Sequence, residues 1–156
     1  MSARAVVALG GNLGDRHATL DEAVHLLNEV DCVDVVAVSS YLDTVAVRVD
    51  GPDAFASRYL NAVAIVETSL DAASLHARLQ DIETALGRER RERWGDRTLD
   101  LDLIDFDGQV MSTETLVLPH PRAHERLFVL DPWLEIDPHA TIPGIGSVAH
   151  ARKVLS

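Results

Sequence analysis

"RTLDLDLIDF", residues 97 to 106, decides the fold. An extended strand turns successive side chains to opposite faces, so Leu99, Leu101 and Leu103 share one face while Asp100 and Asp102 share the other. The leucines demand a core on their side and the aspartates do not. This is a strand of an antiparallel sheet covered by helices on one face.

Immediately before it, "GRERRERWGDR" (87 to 97) crowds Arg88, Arg90, Arg91, Arg93 and Arg97 around Trp94, against three acids. Further upstream, Leu75, Leu79, Ile82 and Leu86 step by four, three and four. That spacing predicts a helix with Asp71 as N-cap and Gly87 at its stop. "YLNAVAIVETSL" (59 to 70) reads as the strand before that helix. "RAVVALGG" (4 to 11) is a short buried strand ending in a glycine turn, and Leu20, Ala23, Val24, Leu27 and Val30 mark an amphipathic helix from Asp15 to about Val30. Valine-rich "CVDVVAVSS" (32 to 40) is another strand. Residues 41 to 58 read mostly as a long loop with a short strand inside it, a length that in compact domains is often functional.

The order is β-α-β-β-α-β, an α+β sandwich of ferredoxin-like type with an antiparallel sheet. Beyond about Gly108 follow a small hairpin, a "LPHPR" turn, an apolar "LFVLDPWLEIDP" segment and a short terminal helix.

The 156 residues, 47% hydrophobic and 25% charged, suit a single globular domain over 1–156. No apolar run approaches a membrane span, and the lone Cys32 suits a reducing compartment, so a cytoplasmic protein is expected. A net charge of −11 disfavours nucleic acid as a partner. The sole lysine is Lys153, which disfavours a lysine-dependent phosphate loop or Schiff base.

Two carboxylates on one strand face stand roughly 7 Å apart at Cα, close enough to converge on hard cations, and oxygen-only ligation favours Mg²⁺. Guanidinium groups on the preceding loop suit phosphate oxygens. Taken singly, the strand also reads as a merely acidic exposed face and the loop as a solvated one whose Arg and Glu residues pair with each other; together they fit a metal-bound nucleoside triphosphate. Trp94, in so polar a loop, suits a flat ring. "GGNLGDR" (10 to 16) lacks the Walker lysine and the dinucleotide fingerprint and reads as a tight turn into a helix. His120, framed by Pro119 and Pro121 with Arg122 and Arg126 behind it, suits a phosphate contact. Gln80 and Glu83, one turn apart, suit either a nucleotide edge or ordinary solvation.

"ALGGNLGDR" (8 to 16), "YLNAV" (59 to 63), "ERWGDRTLDLDLI" (92 to 104) and "LPHPRAHERLFVL" (118 to 130) together resemble the 6-hydroxymethyl-7,8-dihydropterin pyrophosphokinase family of folate biosynthesis. The resemblance implies transfer of pyrophosphate from ATP to the pterin hydroxymethyl group, releasing AMP; a monomer is expected. It implies that Asp100 and Asp102 hold two Mg²⁺ ions on the triphosphate. Arg88, Arg90, Arg97, His120 and Arg126 would contact phosphates, with Arg88 and Arg97 catalytic alongside the aspartates. Gln80, Glu83, Trp94 and Leu103 would lie along the nucleotide. Thr44, Tyr59, Asn61, Trp94 and Phe128 would form the pterin pocket, with Gly10 and Asn12 beside it.

Two departures stand out: Thr44 is followed by Val45 and Ala46, not the family's proline and glycine, and Asp96 replaces a common proline. A catalytically weak pterin- or nucleotide-binding paralogue is the alternative. An RNA-binding module of the same fold is disfavoured by the acidic charge and the 4% aromatic content.

Overall fold

The computed structural model describes residues 2–11, 16–45, 58–89 and 99–155, without the side chains of 44, 45, 58 and 87–89. In chain order the first elements are β1 (Ala3–Gly11), α1 (Arg16–Glu29), β2 (Val33–Val38), β3 (Leu42–Val45), β4 (Arg58–Thr68), α2 (Ala72–Glu89) and β5 (Leu99–Phe106). The sheet runs β2-β4-β1-β5, with β3 pairing to β4 beyond the end of β2, and every pairing is antiparallel. This is the expected β-α-β-β-α-β order, with the second strand split into β2 and β3. Residues 46–57 of the expected long loop lie outside the described residues.

Strand alternation fixes what each face buries. Ala5, Val7 and Leu9 of β1, Leu60, Ala62, Ala64 and Val66 of β4, and Leu99, Leu101 and Leu103 of β5 join one core with Leu20, Ala23 and Leu27 of α1 and Leu75, Leu79, Ile82 and Leu86 of α2. The Asp71 carboxylate caps α2, accepting the Ser74 N–H at 2.7 Å. The helix does not stop at Gly87. It runs on to Glu89, carrying the Arg88 backbone with it, because a terminal glycine costs a helix only about 1 kcal/mol against alanine.

The opposite face departs from the one-sided expectation. The chain after β5 forms the short ladders β6 (Met111–Ser112) with β7 (Val117–Leu118) and β8 (Thr141–Ile142) with β9 (Gly146–Ser147), plus α3 (Leu127–Ile136) and α4 (Val148–Leu155). Val129, Leu130 and Trp133 of α3 and Val148 and Ala151 of α4 pack on Val6, Ala8, Val63, Ile65 and Ile104 of the sheet, making a second core. Arg152 Nε ties α4 to Asp131 of α3 at 2.9 Å. The apolar 127–136 segment is thus a helix covering the second face.

Candidate functional site

The register of the sheet builds the site. Gly10 pairs with Asn61 on one side and with Asp100 on the other, and Ala8 likewise stands between Val63 and Asp102. These residues share the face of the C-terminal layer, but Asn61, Gly10 and Asp100 lie one row beyond the second core. β3 extends the row, since Leu42 pairs with Asn61 and Thr44 with Tyr59. A Cβ added to Gly10 would stand 2.8 Å from Asn61 Oδ1, so any side chain in the middle of the row must push the Asn61 carboxamide aside. Bare backbone lies there between a buried carboxamide and a carboxylate.

Around the aspartates the charges are unbalanced. Burial, and next the Asp102 carboxylate, raises the Asp100 pKa, while the Arg126 guanidinium pulls it down. Glu83 of α2 is also raised, first by burial and further by Asp100 and Asp102. It is fixed by a 2.7 Å bond from the Leu101 N–H, on the edge of β5 away from β1. Among the described residues no three His, Cys, Asp or Glu side chains gather as a ready-made metal cage. Two carboxylates that repel each other, with only oxygen donors, fit a hard cation that completes its shell from phosphate and water, as Mg²⁺ does.

His120 belongs to the same field. Burial lowers its pKa most, Asp102 raises it, and Arg126 and Arg122 lower it again. Its backbone N–H donates to Ile104 O at 2.9 Å, fastening the 118–122 turn beside β5. The Arg122 N–H donates to His120 Nδ1 at 3.2 Å, so the neutral ring carries its proton on Nε2, as a donor. The Arg126 guanidinium carbon sits 5.7 Å from the Phe128 ring centroid, at the start of α3, and Phe128 is 37% exposed. An aromatic face so open beside a cation suits a flat ring ligand.

The structure therefore gathers Glu83, Asp100, Asp102, His120 and Arg126 into one electrostatic cluster and sets Gly10 and Asn61 in one row with Asp100. Gln80 is exposed on α2, one turn before Glu83. The Leu103 side chain is buried in the core with residues of α1 and α2, because odd positions of β5 face that core. Its backbone is the part left for a ligand. Asn12, Arg90, Trp94 and Arg97 lie outside the described residues, as do the side chains of Thr44 and Arg88.

Sequence reading missed Leu42, an exposed apolar residue in the Asn61 row. It also missed the ties that hold β3: Arg16 to Asp43 at 3.1 Å and the Tyr41 O–H to Asp21 at 2.6 Å. A four-residue edge strand inside a mixed-polarity stretch has no periodic signal to reveal it.

A family model described as 7,8-dihydro-6-hydroxymethylpterin-pyrophosphokinase matches residues 6–138. The 2-amino-4-hydroxy-6-hydroxymethyldihydropteridine pyrophosphokinase of Bacillus subtilis is 44% identical over 132 residues, 85% of this chain and 77% of that protein. Its namesake from Methylorubrum extorquens is 40% identical over 141 residues, 90% and 87% of the respective chains. Among solved structures, an HPPK-DHPS in complex with substrates superposes with a TM-score of 0.74 at 12% identity, over 97% of this chain and 43% of that one. At that identity the likeness speaks for the fold.

Proposed function

Because the chain belongs to the 7,8-dihydro-6-hydroxymethylpterin-pyrophosphokinase family, and so transfers pyrophosphate from ATP to hydroxymethyldihydropterin in folate biosynthesis, we propose that the Asn61–Gly10–Asp100 row is where the two substrates meet. The register that puts Gly10 between Asn61 and Asp100 is the observation that carries this reading. Asn61, Tyr59, Thr44 and Phe128 hold the pterin, with Gly10 and Asn12 beside it and Trp94 closing over it. Asp100 and Asp102 hold two Mg²⁺ ions, which neutralise the triphosphate when bound.

The hydroxymethyl oxygen bonds to the β-phosphorus of ATP while the bridge from that phosphorus to the α-phosphate oxygen breaks. AMP leaves with that oxygen, and the hydroxyl proton passes to solvent. Such transfer needs positioning and charge neutralisation more than covalent help from the protein. His120, through its Nε2–H, and Arg126 bind phosphate oxygens. Arg88, Arg90 and Arg97 complete the phosphate contacts, Arg88 and Arg97 most of all as charge develops. Gln80, Glu83, Trp94 and the Leu103 backbone line the nucleotide.

The whole chain, 1–156, works as one pyrophosphokinase domain, a cytoplasmic monomer. Among the described residues no helix is long and apolar enough to cross a membrane. The test is incubation with Mg-ATP and 6-hydroxymethyl-7,8-dihydropterin for the wild type and for Asp100→Ala and Asp102→Ala. AMP and a diphosphorylated pterin from the wild type alone support the proposal; product from either variant at near-normal rates would sink the metal assignment.

A further inference from the structure

β2 and β3 are two halves of one edge on β4, and the edge is broken between Ser39 and Tyr41. Each residue of the break is held. The Ser39 N–H donates to Val63 O at 2.9 Å, and the Val63 N–H donates to Ser39 Oγ at 2.9 Å, so the buried Ser39 restores the ladder with its side chain. Ser40 donates both its backbone N–H and its Oγ–H to Glu135 of α3, one to each carboxylate oxygen. Tyr41, facing the other way, donates its O–H to Asp21 of α1. The break is pinned from both layers.

The pin on the α3 side reaches toward the pterin site. Glu135 lies two helical turns after Phe128, so the two side chains share one face of α3. Beyond the pinned residues, β3 puts Leu42 opposite Asn61 and Thr44 opposite Tyr59. Phe128 and the Asn61 row belong to different layers, and the Ser40–Glu135 pair is a polar tie between those layers at the root of β3.

We propose that Glu135 is a positioning residue of the pterin site, whose double bond to Ser40 docks the Phe128 face of α3 against β3 and so sets the spacing between Phe128 and Asn61. This rests on the reading that Phe128 and Asn61 hold the pterin. Glu135 touches no substrate. The two Ser40 bonds, accepted by the two carboxylate oxygens, lower the Glu135 pKa.

Steady-state kinetics with each substrate varied, together with thermal unfolding, test the proposal on Glu135→Ala, Glu135→Gln and Ser40→Ala, with Phe128→Ala as the reference for the site itself. Glu135→Ala should raise the pterin KM about tenfold while kcat and the ATP KM stay within about twofold. Glu135→Gln should recover most of the loss, since its amide oxygen still accepts the Ser40 N–H. Ser40→Ala, which keeps the backbone bond and folds even if the Glu135 variants do not, should raise the pterin KM about threefold.

A lowered melting temperature with an unchanged pterin KM in both Glu135→Ala and Ser40→Ala would overturn the proposal, leaving the pair merely structural. So would equal rises in both substrates' KM. An unchanged pterin KM in Phe128→Ala would instead overturn the site reading on which the proposal stands.

Discussion

Gly10 and Asn61 face each other across the β1–β4 ladder with no room between them: a methyl group on Gly10 would stand 2.8 Å from Asn61 Oδ1. Asn61 is 6% exposed, so its carboxamide has little space to retreat. Gly10→Ala should therefore displace the Asn61 amide, raise the pterin KM by about tenfold or more and cost roughly 1–3 kcal/mol of stability, as an overpacked site does. Substrate-varied kinetics beside thermal melts check this; an unchanged pterin KM would remove Asn61 from the pterin site.

Asp100 should show function bought against stability. Its folded-state pKa is raised, so its ionisation costs more in the folded chain than in the unfolded one. That destabilisation grows as pH climbs from the ordinary value of 3.8 through the raised one, and it persists at pH 7. Asp100→Asn should melt higher than wild type at pH 7 without metal, lose that advantage near and below pH 3.8, and turn over at least about 100-fold more slowly. A lower melting temperature at pH 7 would contradict the sign.

Glu83 accepts the Leu101 N–H at 2.7 Å on the edge of β5 away from β1. Glu83→Ala should expose that amide to exchange and cost roughly 1 kcal/mol, whereas Glu83→Gln keeps an acceptor and the protection. Amide hydrogen exchange at Leu101 separates the two variants; equal protection in both would show that the bond contributes nothing to the edge.

Asp71 has its pKa lowered by the backbone and side-chain hydrogen bonds of Ser74. A carboxylate whose folded value is depressed contributes stability above its unfolded value, here 3.8, and loses it as pH falls through the folded value. Asp71→Ala should accordingly lower the melting temperature at pH 7, with the gap to wild type narrowing as the pH drops below 3.8. A gap independent of pH would mean that the cap acts without its charge.

The legible parts of this protein were those with a period. Leu99 to Leu103 and Leu75 to Leu86 announce their faces by spacing alone, and they fixed the sheet and the helix layer correctly. The shared face of Asp100 and Asp102 followed from the same alternation. What spacing could not reveal was long-range: that Leu127–Ile136 is a helix closing the second face, that Gly10 falls between Asn61 and Asp100, and that Glu135 reaches Ser40. Each depends on which strands become neighbours, and a glycine or a surface glutamate carries no mark of its partner. Leu103 shows the converse, since the expectation that it lies along a nucleotide came from resemblance while its side chain follows the leucine period into the core.

That Asp100 and Asp102 grip metal-bound triphosphate is tested most directly by counting ions. Equilibrium dialysis with Mn²⁺ in place of Mg²⁺ and a non-hydrolysable ATP analogue should find two ions per wild-type chain, and fewer in Asp100→Asn and in Asp102→Asn. The same number of ions in the wild type and both variants would contradict it.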